Sequence, residues 1–234
     1  MASVQTSTVM DRLLGRALPP SAPTSDRPNL VIRRNFFNPG EDGDFLLRLR
    51  RVFRPHQTES DPAVQWVDPD LAKVWTPQGP MRVPRRQTAY SDPPGVPYRF
   101  SGTTIPGRSE AEVPIVRELR DRLRQKTGFY TNFVFVNDYR DQTQSIGWHA
   151  DDEKDMVDGA PILSYTLGQP RVFKFRHKDR PQVKHQVILE DNMLCIMLAP
   201  TNQEWQHSLP KSKRAMGRRI NFTARLFKQG RQEP

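Results

Sequence analysis

Between Ser145 and Asp155 the chain reads SIGWHADDEKD, with a histidine, two aspartates and a glutamate within five positions, 149–153. His149 and Asp151 are spaced i, i+2, so on an extended strand both side chains point to one face. A solvated acidic turn would have the same composition, and the cluster alone leaves both readings open. A second histidine, His207 in EWQHSLP, adds a further imidazole. Two imidazoles and one carboxylate make the facial triad of non-haem iron(II), which leaves coordination positions open for a co-substrate and oxygen. Zinc takes the same ligands, but carbon-centred oxidation needs a redox metal.

Twelve residues beyond His207, the segment RINFTARL alternates strictly. Ile220, Phe222, Ala224 and Leu226 fall on one face; Arg219, Asn221, Thr223 and Arg225 fall on the other. That polar face either meets solvent or lines the mouth of a barrel and grips an anion. Arginine suits the second task, because its planar fork binds a carboxylate bidentately. An HxD pair, a distant histidine and an arginine about a dozen residues on, within an alternating strand, together point to a metal and a carboxylate co-substrate.

These residues need strands to hold them. After Gly128 the chain supplies TNFVFVNDY, PILSYTLG, RVFKFRHK, KHQVILE, NMLCIMLAP, EWQHSLP and RRINFTARLF, several of them alternating, with turn signals between. Two helices precede them. PGEDGDFLLRLRRVF places Leu46, Leu47, Leu49 and Phe53 on a buried side. SEAEVPIVRELRDRLRQKTG predicts a helix with Ser109 as N-cap, acidic residues in the first turn and Gly128 as terminator. Its Ile115, Leu119 and Leu123 recur at i, i+4 and i+8. Helices followed by a run of strands predict an α+β fold with a largely antiparallel sandwich or barrel. The Pro- and Gly-rich stretch from RPHQTESDPAVQW to SGTTIPG reads as a loop, and a long loop in a compact domain usually handles substrate.

The bulk numbers set limits. With 234 residues there is length for one well-buried domain, 31–234, preceded by a disordered Ser/Thr/Pro-rich tail, 1–30. No apolar run approaches the roughly 20 residues that cross a bilayer, and the N-terminus lacks the apolar stretch of a secretory signal. An intracellular monomer is expected. The single cysteine, Cys195, excludes an intramolecular disulfide and a thiolate zinc cluster, and reads as a core residue. A net charge of +10 favours a polyanionic partner.

Residues 84–227 resemble the AlkB family of iron(II)- and 2-oxoglutarate-dependent dioxygenases, and most of all its nuclear DNA-repair branch. The resemblance rests on VPRRQTAY, YRFSG, NFVFVNDY, HADDE, FKFRHKD, HSLP and RINFTAR, in that order. It implies a double-stranded β-helix, or jelly roll, fronted by N-terminal helices and a nucleotide-recognition lid over about 70–108. It implies that His149, Asp151 and His207 hold iron(II), and that Asn137 and Tyr139 hydrogen-bond 2-oxoglutarate. Arg219 would pair with the distal carboxylate of 2-oxoglutarate, with Thr223 and Arg225 completing the pocket. Ala224 stands where the family usually has Phe, which implies altered packing on the opposite face.

On the substrate side the resemblance implies a flipped base stacked on Phe100, its edge read by Tyr98, Asp152 and Glu153. A duplex hides the target atom, so an enzyme acting on it must extrude the base into an aromatic slot. Trp75 is the expected wedge that fills the gap. Arg85, Arg86, His177, Lys178, Lys213 and Arg214 are the expected phosphate contacts. The tail patch MDRLLGRAL resembles a sliding-clamp-binding peptide of nuclear repair members, except at Leu13 and Gly15. The implied activity is oxidative demethylation of 1-methyladenine and 3-methylcytosine in DNA, using iron(II), 2-oxoglutarate and O2, in a nuclear setting. The alternatives are an RNA demethylase or other 2-oxoglutarate-dependent hydroxylase, and a nucleic-acid-binding module without turnover.

Overall fold

The alternating segment Arg219–Arg225 forms β15, the middle strand of a seven-stranded sheet. The computed structural model describes residues 26–57, 59–68, 73–76, 79–100, 102–151 and 153–228. Asp152, most of the expected tail and its MDRLLGRAL patch lie outside the described residues, as does the side chain of Trp75.

Strand β15 pairs antiparallel with β8 (Phe133–Tyr139) on one side and β10 (Ile162–Gly168) on the other. The sheet continues through β13 (Met193–Met197) to β1 (Leu30–Arg33), and in the other direction through β4 (Arg86–Ser91) to β7 (Gly107–Ser109). A second sheet runs β12 (Lys184–Leu189), β11 (Arg171–His177), β14 (Trp205–Leu209), β9 (Ile146–His149). Phe133 and Phe135 of β8, Met193 and Cys195 of β13, Phe173 and Phe175 of β11 and Trp205 of β14 form one core between the sheets. All seven strands expected after Gly128 are present, and the two facing sheets make the jelly roll.

On its other side the large sheet is covered by α1 (Pro39–Phe53) and α2 (Pro114–Thr127). Ile220, Phe222 and Ala224 of β15 join Phe45, Leu49, Phe53, Leu119 and Leu123 of these helices in a second core. Ala224 is fully buried there, on the face predicted for it. Helix α1 begins where the Asn38 side chain accepts a hydrogen bond from the Gly40 amide at 2.9 Å. Leu47, expected on its buried side, is 67% exposed. It lies two residues, about 200° of helix, from both Phe45 and Leu49, and so faces away from their stripe.

The start of α2 also differs from expectation. Ser109 does not cap it but belongs to β7. Ser109 and Glu112 close a turn of their own: the Ser109 hydroxyl accepts from the Ala111 amide, and Glu112 accepts from the Ser109 amide. Pro114 disfavours helical backbone at Val113, so the helix begins only at Pro114, and the acidic residues expected in its first turn lie ahead of it. Gly128, with φ 79°, terminates it as expected.

The largest correction concerns the Pro-rich stretch, which is not a structureless loop. It holds β2 (Lys73–Thr76), β3 (Gly79–Arg82), β5 (Tyr98–Phe100) and β6 (Thr103–Ile105), besides β4 and β7 of the main sheet. Gly107 permits the close return of β7: a Cβ there would lie 1.8 Å from the Val96 carbonyl oxygen. Of the expected tail, Asp26 pairs with Arg180 at 2.6 Å, and Asn29 bonds Thr201 before β1 begins. A short helix, α3 (Thr201–Glu204), precedes β14.

The registers near the site are pinned by a buried ion pair. Arg218 grips Asp138 of β8 with two bonds, of 2.7 and 2.9 Å, and also donates to the carbonyls of Arg54 and Gln57 and the Ser60 hydroxyl. Removing one partner strands the other charge in the interior. Arg218→Ala is therefore expected to lower unfolding free energy by about 3–5 kcal/mol. Urea denaturation checks this, and a loss below about 1 kcal/mol would show that the pair does not hold the strands.

Candidate active site

His149 ends β9, His207 sits in the middle of β14, and these two positions face each other in register. Asp151 follows two residues after β9. The Asn202 side chain holds it there, accepting from the Asp151 amide at 3.0 Å and donating to its carbonyl. One ligand atom from each of His149, Asp151 and His207 lies within 4.8 Å of the others. The imidazole nitrogens stand 3.6 and 3.8 Å from the Asp151 oxygens, too far for hydrogen bonds and suited to an ion between them.

The protonation states fit a metal. Burial and the neighbouring His149 push His207 down to about 3, against the pull of Asp151. Burial also lowers His149. Both imidazoles are therefore neutral ligands at pH 7. The Gly147 carbonyl lies 2.9 Å from His149 Nδ1, which places the proton there and leaves Nε2 for the metal. Burial alone would raise Asp151, but Arg225 and the two histidines overcome it and hold the carboxyl down at about 2. Arg225 bonds Asp151 Oδ1 at 2.9 Å and orients the carboxylate.

The inner face of β15 continues from this centre. Asn221 donates to the Ser164 hydroxyl at 2.9 Å, and Thr223 lies beside it. At the far end Arg219 is 1% exposed, with one amine on the Thr166 hydroxyl at 2.9 Å. Its Nε and Nη1 are buried and meet no protein acceptor among the described residues. Burial lowers Arg219 to about 10, so it stays cationic at neutral pH. A buried guanidinium with two open donors fits a carboxylate. On the adjoining β8, Tyr139 and Asn137 stand in register with Arg219 and Asn221, and the Arg219 guanidinium lies 5.3 Å from the Tyr139 ring centre.

The remaining expected residues divide. Tyr98, Glu153 and Arg225 come together: the Tyr98 hydroxyl donates to Glu153, and the Arg225 guanidinium lies 4.7 Å over the Tyr98 ring. Phe100 is half-buried, 5.1 Å from Tyr98. Lys213 and Arg214 are exposed on the loop after β14. Arg85, expected at the phosphate backbone, is buried and bonds Asn137 and the Ser145 carbonyl, so its guanidinium faces inward. Arg86 pairs with Glu59 at 2.7 Å and Asp68 at 3.0 Å. His177 is buried and accepts the amides of Asp179 and Arg180 through Nδ1, an internal turn contact. Sequence reasoning missed Ser164, Thr166 and Asn202, which carry no spacing signal because they act across strands.

A jelly roll holding two histidines and one carboxylate beside a buried, open-donor arginine defines a non-haem iron oxygenase site. The chain belongs to the 2OG-Fe(II) oxygenase superfamily, whose model matches residues 49–225, and within it to the AlkB family. It is 40% identical over 182 residues to the mouse protein named DNA oxidative demethylase ALKBH2, covering 75% of this chain and 73% of that one. It is 39% identical to the human protein of that name over 150 residues, 61% of this chain and 56% of the relative. The rat alpha-ketoglutarate-dependent dioxygenase alkB homolog 3 is 31% identical over 138 residues, 56% of this chain and 46% of the relative. Among solved structures, that titled "The structure of OsALKBH1" shares the fold, with a TM-score of 0.51 at 19% identity over 85% of this chain and 98% of that one.

Iron(II) and 2-oxoglutarate are the cofactor and co-substrate of that superfamily, and the residues present fit both. His149, Asp151 and His207 would hold the metal, with Arg219 on the distal carboxylate. Divalent metal at 100 times its Kd is expected to stabilise the protein by about 2.7 kcal/mol. Manganese(II) and thermal unfolding with and without chelator measure it. Asp151→Ala should abolish the gain, and a gain kept in that variant would move the metal elsewhere.

Proposed function

We propose that this chain is an oxidative DNA demethylase acting on bases methylated at the pairing edge, 1-methyladenine and 3-methylcytosine. One observation carries the reading. The metal triad and the open donors of Arg219 share one jelly-roll interior, in a chain 40% identical to a mouse protein named DNA oxidative demethylase ALKBH2. When bound, iron(II) with O2 and 2-oxoglutarate would supply a hydroxylation of the methyl carbon, leaving succinate and CO2, and the hydroxymethyl base then loses formaldehyde.

The chain's own residues position the partners of that reaction. Arg219 and Asn137 fix 2-oxoglutarate, and Arg225 keeps Asp151 ionised and turned toward the metal. Residues 70–108 form the recognition lid, with Thr103 of β6 bonded to the Lys73 carbonyl of β2, tying the two lid hairpins together. Phe100 offers the flipped base an aromatic face. Burial raises Tyr98 well above its ordinary value, so it stays protonated and its hydroxyl remains on Glu153. The second carboxylate oxygen of Glu153 has no partner among the described residues and is left to read the polar edge of the base. Exposed Lys213 and Arg214 are left to meet phosphates, and loss of either should weaken DNA binding and its salt dependence. With a DNA substrate, the reading that goes with it is action inside the cell, in the nucleus of a nucleated host.

Formaldehyde release from matched 1-methyladenine oligonucleotides, as duplex DNA, single-stranded DNA and RNA, tests this. Release from DNA that needs iron(II) and 2-oxoglutarate and vanishes in Asp151→Ala is the expected outcome. Release from RNA alone would replace the substrate. No release from any strand by protein that binds 2-oxoglutarate would end the demethylase reading.

A further inference from the structure

Arg85 is 4% exposed, and among the described residues no carboxylate lies within ion-pair distance of it. A lone buried guanidinium costs several kcal/mol unless its contacts compensate. Its contacts are specific. Nε donates to Asn137 Oδ1 at 2.6 Å, Nη1 donates to the Ser145 carbonyl at 3.2 Å, and the guanidinium lies 5.6 Å from the Tyr139 ring centre.

The bond to Asn137 has a consequence. Gln87 Nε2 donates to the same Oδ1 at 3.2 Å. Two donors saturate the two lone pairs of that oxygen, so the orientation of the amide is fixed. What Asn137 retains for a ligand is its NH2, a donor, which suits a carboxylate and not another donor. The second contact acts on the metal side: Ser145 immediately precedes β9, the strand that ends in His149. Arg85 itself joins β3 to β4, inside the segment read as the lid.

We propose that Arg85 is a positioning residue of the 2-oxoglutarate pocket, setting the Asn137 amide and the start of β9 and tying the lid to both. The proposal rests on the reading that 2-oxoglutarate occupies the pocket at Arg219 and Tyr139. It removes Arg85 from the phosphate-contacting set, because the side chain is buried and Nε and Nη1 are committed inside the protein.

The test titrates 2-oxoglutarate into the manganese(II)-loaded full chain by calorimetry, and measures unmodified duplex DNA binding by anisotropy at fixed salt. Arg85→Gln should raise the Kd for 2-oxoglutarate about tenfold, the lower end for loss of an orienting contact behind a ligand-binding group. DNA affinity should stay within about twofold, the range left by a residue that makes no phosphate contact. Arg85→Lys keeps the charge but not the fork, and should give an intermediate Kd; it also serves where Arg85→Gln unfolds. Arg85→Gln should add little to Asn137→Ala, because the two act as one unit.

Unchanged 2-oxoglutarate affinity in both Arg85 variants would overturn the inference, with weakened DNA binding assigning Arg85 to phosphate instead. Additive losses in the double variant would overturn the action through Asn137. Failure of the manganese-loaded wild type to bind 2-oxoglutarate would overturn the pocket assignment itself, and this inference with it.

Discussion

Burial of Arg219, Asn221, Thr223 and Arg225 on one face of the central strand constrains everything around it. These side chains enter the space between two sheets, where an unpaired charge or amide is costly. Three of them have a partner beyond the strand: Thr166 for Arg219, Ser164 for Asn221, Asp151 for Arg225; Thr223 bonds Asn221 of its own strand. Hydroxyl residues therefore stand on β10 opposite β15, where a plain sandwich would have aliphatic ones. Arg219 and Arg225 both keep buried donors without an acceptor among the described residues, and in the proposed reading a ligand answers that deficit at Arg219.

The same strand explains why the fold and the site were legible together. A period of two marks β15 as a strand, and its polar half marks the interior chemistry, so one pattern carries both signals. His149, Asp151 and His207 were readable because the sequence of ligands survives without knowledge of pairing. Contacts made across strands were not readable. Ser164, Thr166 and Asn202 have no fixed distance in sequence from the residues they hold. Strands of three or four residues broken by Pro and Gly, such as Tyr98–Phe100 and Gly107–Ser109, are too short to show a period and read as loop. Ser109 misled for a different reason: its capping chemistry is present, but it closes a turn ahead of Pro114 and not the helix.

Net charge was the weakest guide. Arg85, Arg120, Arg171, Arg218, Arg219 and Arg225 are all buried, and Arg48, Arg86 and Arg122 are engaged by carboxylates. An arginine count measures internal clamps as readily as it measures a phosphate-binding face. Arg171 shows the clamp role plainly. Its amines donate to the carbonyls of Asp141, Gln144 and Pro210, gathering the segments that enter β9 and leave β14 at one end of the second sheet. The basic residues left to meet a polyanion must be sought one by one, by exposure, as at Lys213 and Arg214.

Tyr139 shows how the interior tolerates this charge. The guanidiniums of Arg85, Arg171 and Arg219 lie 5.6, 5.9 and 5.3 Å from its ring centre, each brought by a different part of the fold. An aromatic face attracts each cation by about 0.5–2 kcal/mol. It does not neutralise them, and Arg171 disfavours the charge on Arg219. These cations are therefore held together under mutual repulsion. A dicarboxylate entering among them gains the attraction of groups already desolvated and held, with little reorganisation left to oppose binding. On the proposed reading, affinity for the co-substrate is stored in the folded chain, in arginines that the β3–β4 connection, β11 and β15 hold closer together than they would lie free.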